Sequence, residues 1–252
     1  MAREHLLVGG EEETIHSNQI VLETKKDIRK NWWHYNKNTV LGVALVIAVA
    51  ASMVYSVVSK VEPDYQLGLI TSASWNDSMI TELESYIAQY ADDRNGDGNV
   101  VVQVNEYILN SSDENQDPNV VQASVVRFSA DSTNLDSVIF LHNEGGLKYF
   151  DGDSLEGYFN YRDGSPMPEG KLDYENAMFE WTEIEAFNEY QPSGVEEMTY
   201  EMSGGDVKTI LERYRVSLRS KTEGIEKDEK KTSYYEDSMK LFERLKDNEK
   251  YE

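Results

Sequence analysis

An uncharged run from Thr39 to Val58, TVLGVALVIAVAASMVYSVV, constrains this chain more than any other feature. About 20 such residues wound as a helix cross a hydrocarbon core roughly 30 Å thick, with every backbone donor and acceptor satisfied inside the segment. No other stretch of the 252 residues approaches this length without charge. The expected architecture is therefore a cytoplasmic tail at 1–38, one transmembrane helix at 39–59 and one exported domain at 60–252.

Orientation follows from the flanks. Lys25, Lys26, Arg29, Lys30 and Lys37 precede the run against one nearby acid, Asp27; after it come Lys60, Glu62 and Asp64. The positive-inside rule puts the N-terminus in the cytoplasm and the C-terminal part outside a cell membrane. Trp32, Trp33 and Tyr35 before the run and Tyr55 near its end suit the two interfaces. A cleaved signal peptide is the competing reading, with Ala48 to Ala50 as the small-residue site. Its leader would be about 38 residues long and carry five glutamates, whereas signal peptides have short basic leaders. Residues 1–18 are polar enough to be disordered. Residues 19–38 read as a juxtamembrane helix, basic on one face and drawn to anionic lipid.

Charge is split between the two sides. Residues 1–38 hold 6 Lys+Arg and 6 Asp+Glu; residues 60–252 hold 18 and 41, so the whole net charge of −23 belongs to the exported part. Such a domain repels nucleic acid and anionic headgroups and attracts cations or basic peptides. The same charge also serves simply to keep an exported domain soluble. The chain has no cysteine. That excludes disulfides, thiolate metal sites, a cysteine nucleophile and a lipidated-cysteine anchor.

Beyond Pro63, which interrupts any helix leaving the membrane, the periodicities alternate. YQLGLITS (65–72) reads as a buried strand. Ile80, Leu83, Ile87 and Ala91 share one helical face, with Asn76 as N-cap and Asp77 at the positive end. NVVVQVNEYIL (99–109) is a β-branched strand. Strand, helix and strand make a βαβ unit with a right-handed crossover. The pattern repeats after a polar loop at 111–119. Asp117 before Pro118 opens a helix, and Val120, Val121, Ala123, Val125 and Val126 give it a broad apolar side. DSVIFLHN (136–143) is a third strand. The expected fold class is α/β: an open, largely parallel sheet flanked by helices.

The later chain is less regular. Residues 144–170 combine glycines and prolines with Tyr and Phe, and read as turns whose aromatics pack on the sheet or line a cleft. YENAMFEWTEIEAF (174–187) fits helix or strand, and QPSGVEEMTYEMSGG (191–205) is a loop region. Tyr214, Val216 and Leu218 alternate with arginines as a half-buried strand. KTEGIEKDEKK (221–231) reads as a charged loop. Ser233 and Glu236 have capping-box spacing before Tyr235, Met239, Phe242 and Leu245, one helical face.

NWWHYNKNTVLG, VEPDYQLGLITS, YADDRNGDGNVVVQVNEYIL and the SVIFL strand resemble a group of uncharacterised single-pass membrane proteins of clostridia-type Gram-positive bacteria, most clearly over residues 31–145. That resemblance implies no catalytic residues. The βαβ opening is also similar to the first lobe of extracellular solute-binding proteins, a likeness of fold alone.

Three sets of residues carry candidate chemistry. Asp93, Asn95 and Asp97 alternate before Gly98, as in the first half of a calcium loop. Position 12 of that loop is Val104, which cannot ligate, and a strand follows where a helix is needed. A turn explains the same residues, and a weak Ca2+ site is the alternative. His142 is the one histidine of the exported part, and no HExxH, GxSxG, Walker or GxGxxG motif occurs. Ligands of open α/β sheets bind beyond the carboxyl ends of the strands. That places a candidate ligand site at Thr71, Ser72, Ser74, Trp75, His142 and Asn143. The expected function is a membrane-anchored, non-catalytic binding module of solute-binding-like type. The alternative is an envelope assembly factor whose aromatic-rich middle, 149–181, and charged C-terminal helix meet a protein partner; a carboxylate-dependent hydrolase is a distant third.

Overall fold

The computed structural model describes residues 24–58, 62–109, 117–150, 155, 157–167, 173–192 and 207–252. The expectations for the tail at 1–18 and for most of the loops at 111–119 and 191–205 lie outside the described residues. The chain divides into two compact units, residues 1–60 and 61–252.

In the first unit, α1 runs unbroken from Lys25 to Val58, 34 residues. It is long and apolar enough to cross a membrane, a test that a signal sequence also meets. The basic segment from Lys25 and the apolar run are thus one helix; residues 19–23 lie outside the described residues.

The second unit is built on five strands: β1 Tyr65–Thr71, β2 Val102–Ile108, β3 Ile139–His142, β4 Met178–Glu180 and β5 Arg215–Leu218. Their order across the sheet is β2-β1-β3-β5-β4. The first three are parallel, with Leu67 opposite both Val104 and Ile139. The helices α2 (Asp77–Ile87) and α3 (Pro118–Asn134) supply the crossovers. The expected side-chain caps are present: Asn76 accepts from Ser78 N and Asp117 from Asn119 N. The sheet is mixed rather than largely parallel. β5 runs antiparallel to β3 and β4 antiparallel to β5. The parallel part ends where the strand–helix–strand rhythm of the sequence ends. The rest of the chain returns through short pieces: α4 Glu144–Leu147, a 3-10 turn Lys148–Phe150, α5 Tyr174–Ala177, a 3-10 turn Trp181–Glu183, α6 Glu185–Glu189 and α7 Val207–Leu211. The ambiguous 174–187 segment is therefore both helical and extended.

Strand alternation divides the core between two faces. Leu67, Leu69, Val104, Ile139, Leu141 and Val216 meet α2, α6 and the C-terminal helix α9 (Glu229–Lys246) on one face. Ile70, Tyr107, Phe140, Phe150 and Phe159 meet Phe128 of α3 on the other. Among the described aromatics of 149–181, Phe150, Phe159, Phe179 and Trp181 are buried, Tyr158 and Tyr161 partly so, and Tyr149 is exposed. Gly68 is required in β1, because a Cβ there would overlap the ring of Phe140.

Three local expectations change. The buried residues of α3 are Ser124 and Phe128, with Val121 and Val125 packed beside them as expected, while Val120 and Val126 are exposed. The charged loop at 221–231 contains α8, Glu223–Glu226, and the first residues of α9. That last helix begins before Ser233, at an Asp228 cap whose carboxylate accepts from Lys230 N and Lys231 N.

Candidate functional site

At the carboxyl ends of β1 and β3 the polar side chains bond to one another. The Trp75 indole N–H donates to Tyr214 Oη at 2.7 Å. Tyr214 Oη lies 2.8 Å from Thr71 Oγ1. The Thr71 hydroxyl donates to the Ala73 carbonyl at 2.8 Å. Its proton is thus committed, so Tyr214 is the donor to Thr71. The result is one chain of donors, Trp75 to Tyr214 to Thr71 to Ala73, in which each bond polarises the next. The Trp75 and Tyr214 rings also meet edge-on, centroids 5.2 Å apart. Thr71, Trp75 and Tyr214 are all buried.

Asn143 closes the next side. Its Oδ1 accepts from Gly146 N at 2.7 Å and Ser72 N at 3.2 Å, and its Nδ2 donates to Ser72 Oγ at 3.1 Å. The Gly145–Gly146 pair lets the start of α4 sit against the end of β1. A Cβ on Gly146 would come 2.9 Å from the Ile70 carbonyl, and one on Gly145 would come 2.8 Å from Ser72 Cβ. Glu106, from β2, holds the β1–α2 loop: its carboxylate accepts from Trp75 N at 2.6 Å and Ser74 Oγ at 3.0 Å. Burial pushes this carboxyl up, partly offset by those two bonds. Burial likewise raises the Tyr214 phenol, so it stays protonated at neutral pH.

The fold therefore brings together Thr71, Ser72, Ser74, Trp75 and Asn143 of the expected ligand residues. It does not bring in His142. Strand alternation turns that side chain to the opposite face, where its ring lies 6.0 Å from Phe159 and its Nε2 is 2.7 Å from Ser217 Oγ. Burial, with the charge of Arg215, lowers its pKa to about 3. A histidine sealed and neutral in this way is a core residue rather than a general base at neutral pH. Tyr214 and Glu106 were missing from the sequence-level site. Tyr214 reads there only as an inward residue of a strand, one position before β5, and its bond to Thr71 spans 143 positions.

The Asp93–Asp97 loop is a turn that uses its own oxygens. Asp93 Oδ1 accepts from Gly96 N at 2.7 Å and its Oδ2 from Gly98 N at 2.8 Å. Asn95 Oδ1 accepts from Asp97 N, and Asp97 Oδ1 from Asn99 N, both at 2.8 Å. Buried Asp64 ties the loop to β1, accepting from Asn95 N and Val101 N. Gly96 and Gly98 have φ of 75° and 90°, the left-handed turns that such a loop requires. Among the described residues no group of three or more His, Asp or Glu is placed to hold a metal ion.

Arranged this way, the strand ends offer hydrogen bonds already made and one carboxylate engaged by the loop beside it. No protein-family model, no curated protein and no solved structure matches this chain.

Proposed function

We propose that this chain is a single-pass, membrane-anchored binding module without catalysis. Its acidic domain faces outward and meets a basic protein partner of the cell envelope. The observation that carries this reading is the Trp75–Tyr214–Thr71 chain: at the strand ends, where a small ligand of an α/β sheet would bind, these buried side chains spend their polar atoms on one another. With those polar groups already paired, recognition falls to the surface, and 18 Lys+Arg against 41 Asp+Glu over residues 60–252 favour a cationic partner. The basic flank of α1 supports a cytoplasmic N-terminus.

The test is thermal denaturation of fragment 62–252 with sugars, amino acids, basic peptides and acidic peptides. A ligand of the native state raises its stability. Basic peptides are expected to stabilise the fragment at about 0.15 M salt, where charges more than about 8 Å apart are largely screened. Sugars and amino acids are expected to leave it unchanged. Stabilisation by a neutral solute, lost in Tyr214→Ala, would return the strand ends to the role of receptor site. Weak calcium binding at Asp93, Asn95 and Asp97 is a separate proposal, resting on their alternate spacing. Equal stabilisation of wild type and Asp97→Ala by calcium would remove the loop from it.

A further inference from the structure

The first part of α1 carries its cations on one side. At about 100° per residue, Lys25, Lys26, Arg29, Lys30 and Lys37 fall within an arc of about 140°, with Trp33 near its middle. The remaining arc holds Asp27, Asn31, His34 and Asn38 together with the apolar and aromatic Ile28, Trp32 and Tyr35, and none of its residues is a lysine or arginine. Asp27 is engaged by the Thr24 hydroxyl at 2.5 Å, and among the described residues none of the five cations is in an ion pair. All five cations and Trp33 are exposed.

Length sharpens the point. A helix of 34 residues is about 51 Å long, against a hydrocarbon core of roughly 30 Å. The residues before Thr39 therefore project about 20 Å beyond that core if the helix stands upright. Lys25 and Lys26 would then sit well past the headgroup layer, outside the reach of a surface potential that decays over about 8 Å. Helical side chains also lean toward the N-terminus, which carries those of an upright helix further from the bilayer. An upright helix has lipid equally on all sides and gains nothing from a one-sided cation face. A leaning helix does gain, and transmembrane helices tilt by up to about 40°.

We propose that the helix leans on this face. Lys25, Lys26, Arg29 and Lys30 dock on anionic lipid headgroups, Trp33 enters the interface and Lys37 marks its inner edge. The occupant is the lipid surface itself, chosen by charge complementarity and by continuity with the apolar run. The inference rests on reading α1 as an uncleaved membrane anchor.

Because the chain has no cysteine, single spin labels can be placed without background. Full-length Thr24→Cys and Val46→Cys proteins are labelled and reconstituted into bilayers of phosphatidylcholine, alone or mixed with phosphatidylglycerol. Collision with an aqueous paramagnetic reagent is then read by electron paramagnetic resonance. The Thr24 label is expected to lose several-fold in aqueous accessibility when phosphatidylglycerol is present. That accessibility should return in high salt, and in the variant with Lys25, Lys26, Arg29 and Lys30 all changed to Gln. Equal accessibility in the two lipids, with Val46 shielded from water in both, overturns the docking alone. A Val46 label exposed to water overturns the anchor reading and the docking with it.

Discussion

The Tyr214 hydroxyl accepts from the Trp75 indole at 2.7 Å and donates to Thr71 at 2.8 Å, all three residues being buried. Tyr214→Phe keeps the ring and its edge-on packing but leaves the indole N–H without its acceptor. Stranding one buried polar group costs about 1–3 kcal/mol, so urea unfolding should show a loss of that order. A loss no larger than that of an exposed Tyr→Phe control would mean that the chain of donors contributes nothing. Gly68 is a second residue-level test. Its missing side chain is the space that the Phe140 ring occupies. Gly68→Ala should destabilise by about 1–3 kcal/mol through overpacking, and Phe140→Leu in the same chain should recover part of that loss. Neither role could be read from the sequence. The glycine there is simply one small residue in a strand, and Tyr214 meets Thr71 across 143 positions, with no local signal. The turn at Asp93–Gly98, by contrast, was legible, because Asx side chains and left-handed glycines act within a few residues of themselves.

Between elements, the end of α9 is strapped to the end of α2. Arg244 donates from Nη2 to Asp92 Oδ1 and from Nε to the Tyr90 carbonyl, both at 2.6 Å, and Tyr65 Oη donates to the same Asp92 oxygen at 2.8 Å. Burial works to raise the Asp92 carboxyl, but the bonds from Tyr65 and Arg244 and the arginine's charge outweigh it and hold it below the usual range. A depressed folded-state pKa contributes stability above the ordinary carboxylate value, and that stability is lost as pH falls through the folded value. Arg244→Gln should therefore cost about 1–2 kcal/mol at neutral pH, after discount for partial exposure. The difference from wild type should shrink in acid denaturation curves. Asp136, in the turn from α3 to β3, has the opposite sign. Burial and the neighbouring Asp131 carboxyl raise it to about 6. Its contribution is present below the ordinary carboxylate value and is lost as pH rises through about 6. Asp136→Asn should raise the Tm at pH 7 and leave it nearly unchanged at pH 4. The elements β1, α2 and β2 were readable because the strands are short apolar or β-branched runs and α2 has one apolar face behind an Asn76 cap. The buried side of α3 was legible in part. Val121 and Val125 pack beside Phe128 as their spacing predicts, but Val126 lies on the opposite side and the polar Ser124 takes a buried position that no apolar pattern marks.

For the whole molecule, the parallel half of the sheet followed from the strand–helix–strand rhythm, while the antiparallel half rests on contacts among Phe179, Val216 and Leu141 that no local period announces. β5 is reached through Tyr214, whose hydroxyl bonds to Trp75 and Thr71 at the end of the parallel half; on the proposed reading the domain meets its partner through its acidic surface. Hydrogen exchange at the Trp75 indole N–H, followed by NMR on fragment 62–252, tests this claim most directly. In a sealed crevice the proton is released only by sub-global or global opening, so its protection should approach that of the β1 amides. Exchange as fast as that of a solvent-exposed indole would show that the crevice stands open, and would contradict the account.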